Sequence, residues 1–526
     1  MPWPPRSPTL RAVGGMVCSV DHVASGAGIA MLRAGGSAAD AAIATSAVLA
    51  VTTQHMCGMG GDLFALVHRT DGPPDALCAA GRAGGGSDPE PLRAAGHQVM
   101  PYRGDVRSAP APGCVDGWCA LHARHGRLPL EVVLAPAWRC ADEGFAASPL
   151  LALASGLVAH VPGAEDFLPP GGLQAGARVR RPALGRALRD IAAGGRSAFY
   201  EGGFGAALVS LGGGVYTAAD LARSQADWVT PISLDVWGHR IWTVPPPSQG
   251  YLAPSAAWIA EGLPLPEDPD DGAWIHLLVE AARWAGHDRP DVLHDQADGA
   301  ALLRPDRLLP RRQAIDANTR GAPVAPAAEG RTIYLCATDA DGLGVSLIQS
   351  NAADWGCHVV VPGTGIFLHN RGIGFSLDAG HPAELAPGHR PPHTLSPLLV
   401  TRLDGQLAAV LGTMGGDSQP QVLLQVLARL LRHGQAPGPA LSAPRWTLAR
   451  DGTGFDTWSG DGPDHVALEQ GAPSTWERGL LDRGHLVRNL PRGANVGHAH
   501  VIAVTPHGTY AGASDARAGS GAAVGL

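Results

Sequence analysis

Residues 330–350 read GRTIYLCATDADGLGVSLIQS. The apolar run Tyr334 to Thr338 alternates, closes on Asp341-Gly342, and resumes as Val345 to Ile348. Two stretches of strand composition joined by a D-x-D-G segment predict a β-hairpin with Thr332 at its first residue. A hydroxyl at a strand edge is by itself an ordinary surface side chain. What gives this one weight is the ordered series that follows: QSNAADWG at 349–356, PGTGIFLHNRG at 362–372, PPHTLSP at 391–397 and GTMGGDSQP at 412–420.

That series resembles the gamma-glutamyltranspeptidase family of N-terminal-nucleophile hydrolases. GGMVCSVDHVASGAGIAMLRAGGSAADAAIATSAVLAV at 14–51, HMCGMGGDLFALVH at 55–68, PGCVDGW at 112–118 and APRW at 443–446 extend the match nearly end to end. The resemblance implies a four-layer αββα sandwich of α+β class, built from both halves of a precursor that cuts itself. It places the cut between Arg331 and Thr332, giving a large subunit 1–331 and a small catalytic subunit 332–526 that begins at its nucleophile.

Composition narrows the function classes. Of the 526 residues 45% are hydrophobic and 16% charged, which describes a well-cored enzyme. A net charge of −8 without a basic run argues against nucleic acid and anionic membrane as partners. All 39 basic residues are arginine, so Schiff-base, pyridoxal-phosphate and P-loop lysines are excluded. The eight cysteines form no C-x-x-C pair and no zinc spacing, and read as scattered reduced thiols. No cofactor and no metal are expected. The opening MPWPPRSPTLRAVGG lacks an apolar signal region and no run is long enough to span a bilayer, so the expected compartment is the cytoplasm.

Strands are predicted over 16–20 and 62–67. Between them Ala24 to Ala50 has buried-helix composition, broken at Gly35-Gly36. Helices are also predicted over Pro182–Ala193 and Trp274–Ala285. From about Asp288 to Gly330 the chain turns polar and Pro-rich, and a flexible exposed segment is expected there.

The chemistry follows from the threonine. A hydroxyl needs a base, and a freed α-amine with a pKa near 7.7–8.0 is one, whereas an internal amide nitrogen is not. By resemblance, the backbone N–H groups of Gly415 and Gly416 form the oxyanion hole. Ser350 stands where a second threonine orients the nucleophile. Thr394 falls where a serine contacts the substrate carboxylate, His393 replaces a second serine, and Arg82 corresponds to the arginine that binds the α-carboxylate. The acidic residues that flank that arginine in the family are here Ala80 and Ala83. His498 and His500 read as structural.

Two departures bear on substrate. The asparagine and aspartate that hold a donor's α-amine are replaced by Ala352 and Gly374. An ammonium buried there would have no anion, at a cost of several kcal/mol. The segment 370–397 resembles the branch of the family that includes oxamate amidohydrolase, which acts on small carboxylate-bearing amides. The leading expectation is therefore a self-processing N-terminal-threonine hydrolase or acyltransferase for a small carboxylate-bearing amide or acyl compound. Its partners are that small molecule and the two subunits of one precursor, and a homo-oligomer of the heterodimer stays open. The alternatives are a true γ-glutamyl hydrolase or transpeptidase using Asp354 or Asp378 for the amine, a C–C bond hydrolase of a biosynthetic pathway, and a non-catalytic scaffold.

Overall fold

The computed structural model describes residues 4–321, 332–449, 464–491, 493–494 and 496–526. The predicted hairpin forms from the strands Ile333–Asp339 and Gly344–Ser350. Its turn is pinned by Asp339, whose Oδ1 accepts from the N–H groups of Asp341 and Leu343. Gly342 takes φ +83°, a left-handed conformation glycine adopts without Cβ strain.

Around this hairpin the chain builds two seven-stranded sheets. In chain order their strands are β1 (Leu10–Ala12), β2 (Gly15–Ser19), β3 (Asp62–Val67), β4 (Asp75–Ala79), β5 (Asp227–Val229), β6 (Ile232–Val236) and β7 (His239–Thr243). The hairpin strands are β8 and β9, followed by β10 (Leu398–Arg402), β11 (Leu407–Thr413), β12 (Ala499–Val504), β13 (Tyr510–Ser514) and β14 (Ala522–Gly525). One sheet has the order β14-β2-β8-β9-β3-β4-β5, the other β1-β13-β12-β11-β10-β7-β6.

Strand periodicity assigns the faces. Along β8, Tyr334 and Cys336 enter the core between the sheets, with Phe64, Ile348, Leu399, Val410 and Ile502. The alternate residues Ile333, Leu335 and Ala337 face the other way, into a helix-covered core. That helical layer includes α1 (His22–Arg33), α2 (Ala38–Thr52), α3 (Cys114–His125), α4 (Leu130–Glu143) and α5 (Pro182–Tyr200). The second sheet is covered by α6 (Leu252–Glu261), α7 (Gly272–Gly286) and α8 (Gln419–Leu427). The molecule is a four-layer αββα sandwich.

The predicted break at Gly35-Gly36 separates α1 from α2. Gly35 has φ +85°, and α2 starts on a capping box between Ser37 and Asp40. Every residue of α2 is buried, which only an Ala-rich helix pressed between a sheet and other helices achieves. The expected loose segment after Asp288 is more ordered than its composition suggests. Short helices occupy Arg289–Val292, Gly299–Leu302 and Pro305–Gln313, and the Asp288 carboxylate takes ion pairs from Arg307 at 2.8 Å and Arg311 at 2.5 Å. The rest of that expectation, from residue 322 on, falls outside the described residues. Among the described residues no helix is long and apolar enough to cross a membrane.

The sheets meet closely at Gly412, where a Cβ would collide with the Tyr334 ring. Gly412→Ala is expected to cost about 1–3 kcal/mol by overpacking. Gly203→Ala, with open space at its Cβ, should stay within about 0.5 kcal/mol. Denaturant midpoints of the two variants check the difference.

Candidate active site

Register brings the first two site residues together. Ile333 pairs with Gln349 in the β8–β9 ladder, so the next rung sets Thr332 opposite Ser350. Their hydroxyls are 3.1 Å apart, at 0% and 2% residue exposure. Ser350 Oγ accepts the Ala352 N–H at 2.8 Å. Ala352 is held at φ +70°, a conformation costing an ordinary L-residue roughly 1–2 kcal/mol. The family's asparagine would tolerate it more readily.

The glycine pair arrives from the opposite sheet. Gly344, at the far end of the hairpin, lies against Leu407 of β11, and Tyr334 lies against Gly412. Strand β11 therefore runs antiparallel to β8 across the core, carrying the loop after Thr413 toward the Thr332 end. There Gly415 (φ +134°) and Gly416 (φ +55°) take conformations that L side chains rarely adopt. A Cβ on Gly415 would stand 2.6 Å from Ser418 Oγ. Among the described residues the N–H groups of this pair have no hydrogen-bond acceptor, while Gly415 C=O accepts from Ser418 N–H and Oγ–H.

Gln249 ties this loop to the next one. Its Nε2 donates to Gly416 O at 3.1 Å and to Thr394 O at 3.2 Å. Arg289 anchors the same loop through Asp417, at 3.1 Å. Thr394 is buried and its Oγ1 accepts from Arg371 Nη1 at 3.4 Å.

Two expected substrate contacts are engaged elsewhere. His393 is 1% exposed, with Nε2 on Asp62 Oδ2 at 3.1 Å and Nδ1 accepting the Leu395 N–H at 3.3 Å. With both ring nitrogens occupied, it staples the 391–397 loop to β3. Asp62 sits opposite Ser350 in the ladder, and its Oδ1 accepts from the N–H groups of Gly81 and Gly113. Arg82 donates Nη1 to Ser224 O at 2.9 Å and pairs Nη2 with Asp227 at 2.5 Å, a carboxylate that also holds Arg390. No hydrogen bond joins Arg82 to Thr332, Ser350 or Thr394 among the described residues. Arg331 lies outside them.

A cleft of about 560 Å³ opens beside the site, lined by Met100, Tyr102, Arg289, Ile373, Gly374 and Phe375 among others. Ile373 packs on Ala352 and Ala353, so the cleft abuts the loop that follows Ser350. Among the described residues Asp378 is its only acidic lining residue. Of this site, Gln249, Asp62, Arg289 and Arg371 were not singled out from sequence. Arg371 had a readable signal, a guanidinium three residues before the Gly374 that replaces an expected acid.

One buried cluster has metal-ligand composition, His276, Glu280 and His485. Its atoms are already satisfied: His276 Nδ1 bonds His485 Nε2 at 2.8 Å and Nε2 bonds Asp316 O at 2.8 Å. Glu280 pairs with Arg283 at 2.5 Å and accepts the Gly321 N–H. The cation at Arg283 disfavours a metal there, and the cluster serves as a joint.

The chain is similar to known proteins along nearly its whole length. The family model described as Gamma-glutamyltranspeptidase matches residues 24–525. An oxamate amidohydrolase proenzyme of Klebsiella pneumoniae is 36% identical over 532 residues, covering 97% of this chain and 98% of that one. A glutathione hydrolase-like proenzyme of Bacillus subtilis is 35% identical over 528 residues, with 97% and 98% covered. The crystal structure of a cephalosporin acylase from Bacillus halodurans superposes with a TM-score of 0.90 at 33% identity, over 100% of this chain and 98% of that one.

Burial holds the His393 ring low, at about 4 from an ordinary 6.5, against the opposing pull of Asp62. The folded chain thus keeps this ring neutral where the unfolded chain protonates it. Between pH 6.5 and 4 the unfolded state binds more protons, so stability falls as pH falls through that window. His358 and His500, also pushed down by burial, act in the same direction. Urea midpoints from pH 7 to 4.5 should decline, and less steeply for His393→Gln.

Proposed function

The chain belongs to the gamma-glutamyltranspeptidase family, and from that premise we propose that it is a self-processing N-terminal-threonine hydrolase of carboxylate-bearing amides. It is a gamma-glutamyltransferase-like enzyme, and the observation that carries the finer reading is the pair of buried hydroxyls, Thr332 and Ser350, facing each other at a strand end. In scission, Thr332 Oγ attacks the Arg331 carbonyl, an ester replaces the peptide bond, and water hydrolyses it. The products are a carboxylate at Arg331 and an α-amine at Thr332.

That amine is the base for the second reaction. It takes the Oγ proton as Oγ attacks the substrate amide, while Ser350 holds the hydroxyl in line. The negative charge that develops on the carbonyl oxygen is met by the N–H groups of Gly415 and Gly416, each such donor worth about 10²–10³ in rate. The ammonium returns its proton to the leaving amine, and water then releases the acid from the acyl-enzyme. Gly374 supports a substrate without a free α-amine, because no acid stands there to meet an ammonium. Asp378 favours a second reading, a γ-glutamyl donor whose ammonium reaches that carboxylate in the cleft. The eight cysteines, all free thiols, support the cytoplasm as the compartment.

Purified protein should resolve into two bands, the smaller beginning Thr332-Ile333-Tyr334 by N-terminal sequencing. Thr332→Ala is expected to stay uncut and inactive, and Thr332→Ser to cut slowly and keep partial activity. Gly415→Val should lose turnover while retaining the fold. A single intact band with full activity would overturn the mechanism.

A further inference from the structure

Glycine lets the backbone turn at Gly415-Gly416, but a glycine pair also leaves its peptide planes free to swing. In a trans peptide the N–H points opposite the C=O, so whatever holds a carbonyl also aims the amide across the same bond. Three successive carbonyls are held here. Met414 O accepts from Thr413 Oγ1 at 2.8 Å, which sets the plane carrying the Gly415 N–H. Gly415 O accepts from Ser418 N–H at 3.0 Å and Oγ–H at 2.7 Å, which sets the plane carrying the Gly416 N–H. Gly416 O accepts from the Gln419 N–H and from Gln249 Nε2, the latter at 3.1 Å. Thr413, Ser418 and Gln419 travel with the loop and decide its shape. Among the described residues Gln249 is the one side chain from outside 413–419 that bonds to either glycine, so it bears on where the loop stands.

The same residue is tied to the nucleophile's sheet. Its backbone N–H donates to His393 O at 2.8 Å. His393 Nε2 is bonded to Asp62 Oδ2 at 3.1 Å, and Asp62 stands opposite Ser350 in the ladder. Ser350 in turn faces Thr332. A continuous path therefore runs through Ser350, Asp62, His393 and Gln249 to Gly416, and the first four of these residues are at 2% exposure or less. It crosses from one sheet to the other at the site itself, apart from the hydrophobic core.

From this geometry we propose that Gln249 is a positioning residue of the reaction: its amide sets the distance between the Thr332 hydroxyl and the N–H groups that receive the oxyanion. The proposal rests on the hydrolase reading and adds to it a residue from the part of the chain that precedes the proposed cut. A primary amide suits the task, because it has two N–H donors and two carbonyls to hold, Gly416 O and Thr394 O. Its Oε1 accepts nothing among the described residues, so the two donors alone decide how the amide is turned. Both bonds are closed off from water, where each is stronger than it would be at the surface.

The test uses the full chain and follows release of p-nitroaniline from glutaryl p-nitroanilide and of ammonia from oxamate, with turnover counted per cut chain. Gln249→Met keeps the length and donates nothing. It should lower kcat roughly 10- to 100-fold, less than the loss of an oxyanion donor, and move KM by less than about threefold. Gln249→Glu, nearly isosteric, donates only when protonated. Its turnover relative to wild type should rise as pH falls from 9 to 6, a signature that lost packing would not give. Circular dichroism and urea midpoints show whether each variant folds, and Gln249→Glu carries the test alone should Gln249→Met not fold. Unchanged kcat in a folded Gln249→Met, a rise in KM alone, or a Gln249→Glu ratio that is low at every pH would overturn the proposal. Hydrogen exchange separates it from the hydrolase reading. Peptides spanning 412–420 should exchange several-fold faster in Gln249→Met than in wild type, and peptides spanning 333–350 at the same rate. That pattern upholds the brace even if wild type cleaves neither amide, whereas equal exchange over 412–420 refutes it.

Discussion

Side chains alternate faces along a strand, so a slip of one residue between β8 and β9 would turn one hydroxyl of the Thr332–Ser350 pair away from the other. The register that prevents it is fixed well beyond the site. Ile333, Leu335 and Ala337 are buried against helices, while Tyr334 and Cys336 are buried between the sheets. A slipped strand would have to exchange these two sets. The Asp339 turn closes the hairpin at one end, and β2 and β3 flank it on both sides. The alignment of the two hydroxyls thus depends on two hydrophobic cores that flank the strand.

The second constraint is the approach of the opposite sheet. The absence of a side chain at Gly412 lets β11 lie against the Tyr334 ring, and Gly415-Gly416 follow three residues later. Gln249 and Arg289 then brace that loop from the large half of the chain. The donors proposed to meet the oxyanion are therefore held by the sandwich core on one side and by a buried amide and ion pair on the other. Such preorganisation is what makes dipoles effective in catalysis, since they do not reorient as charge develops.

The hairpin, the break at Gly35-Gly36, the helices starting near Pro182 and Trp274, and the partnership of Thr332 with Ser350 were legible in the sequence. The first of these are local signals, alternation, a glycine pair and a proline at a helix start, whereas the last is what the family resemblance implies. What escaped was set by distant contacts. His393 lies inside a motif, yet its ring is held by Asp62, 331 residues away in sequence. Arg82 occupies the expected place, yet Asp227 takes its guanidinium. The polar stretch after Asp288 is ordered by a carboxylate that gathers Arg307 and Arg311, which composition does not reveal.

The strand orders have one further consequence. Taking 331/332 as the dividing line, β8 and β9 of the second piece lie between β2 and β3 of the first, and β2 lies between β14 and β8. In the other sheet β13 to β10 of the second piece are flanked by β1 and β7 of the first. The two pieces are woven, not docked. Neither could leave without opening a central ladder in each sheet, so separating them is the same event as unfolding. A scission at this line would create a heterodimer with no dissociation constant of its own. Dilution would not part it, and neither piece should be recovered as a folded monomer. The cut would act as a chemical edit to a finished object, adding an amine and a carboxylate while leaving the assembly intact.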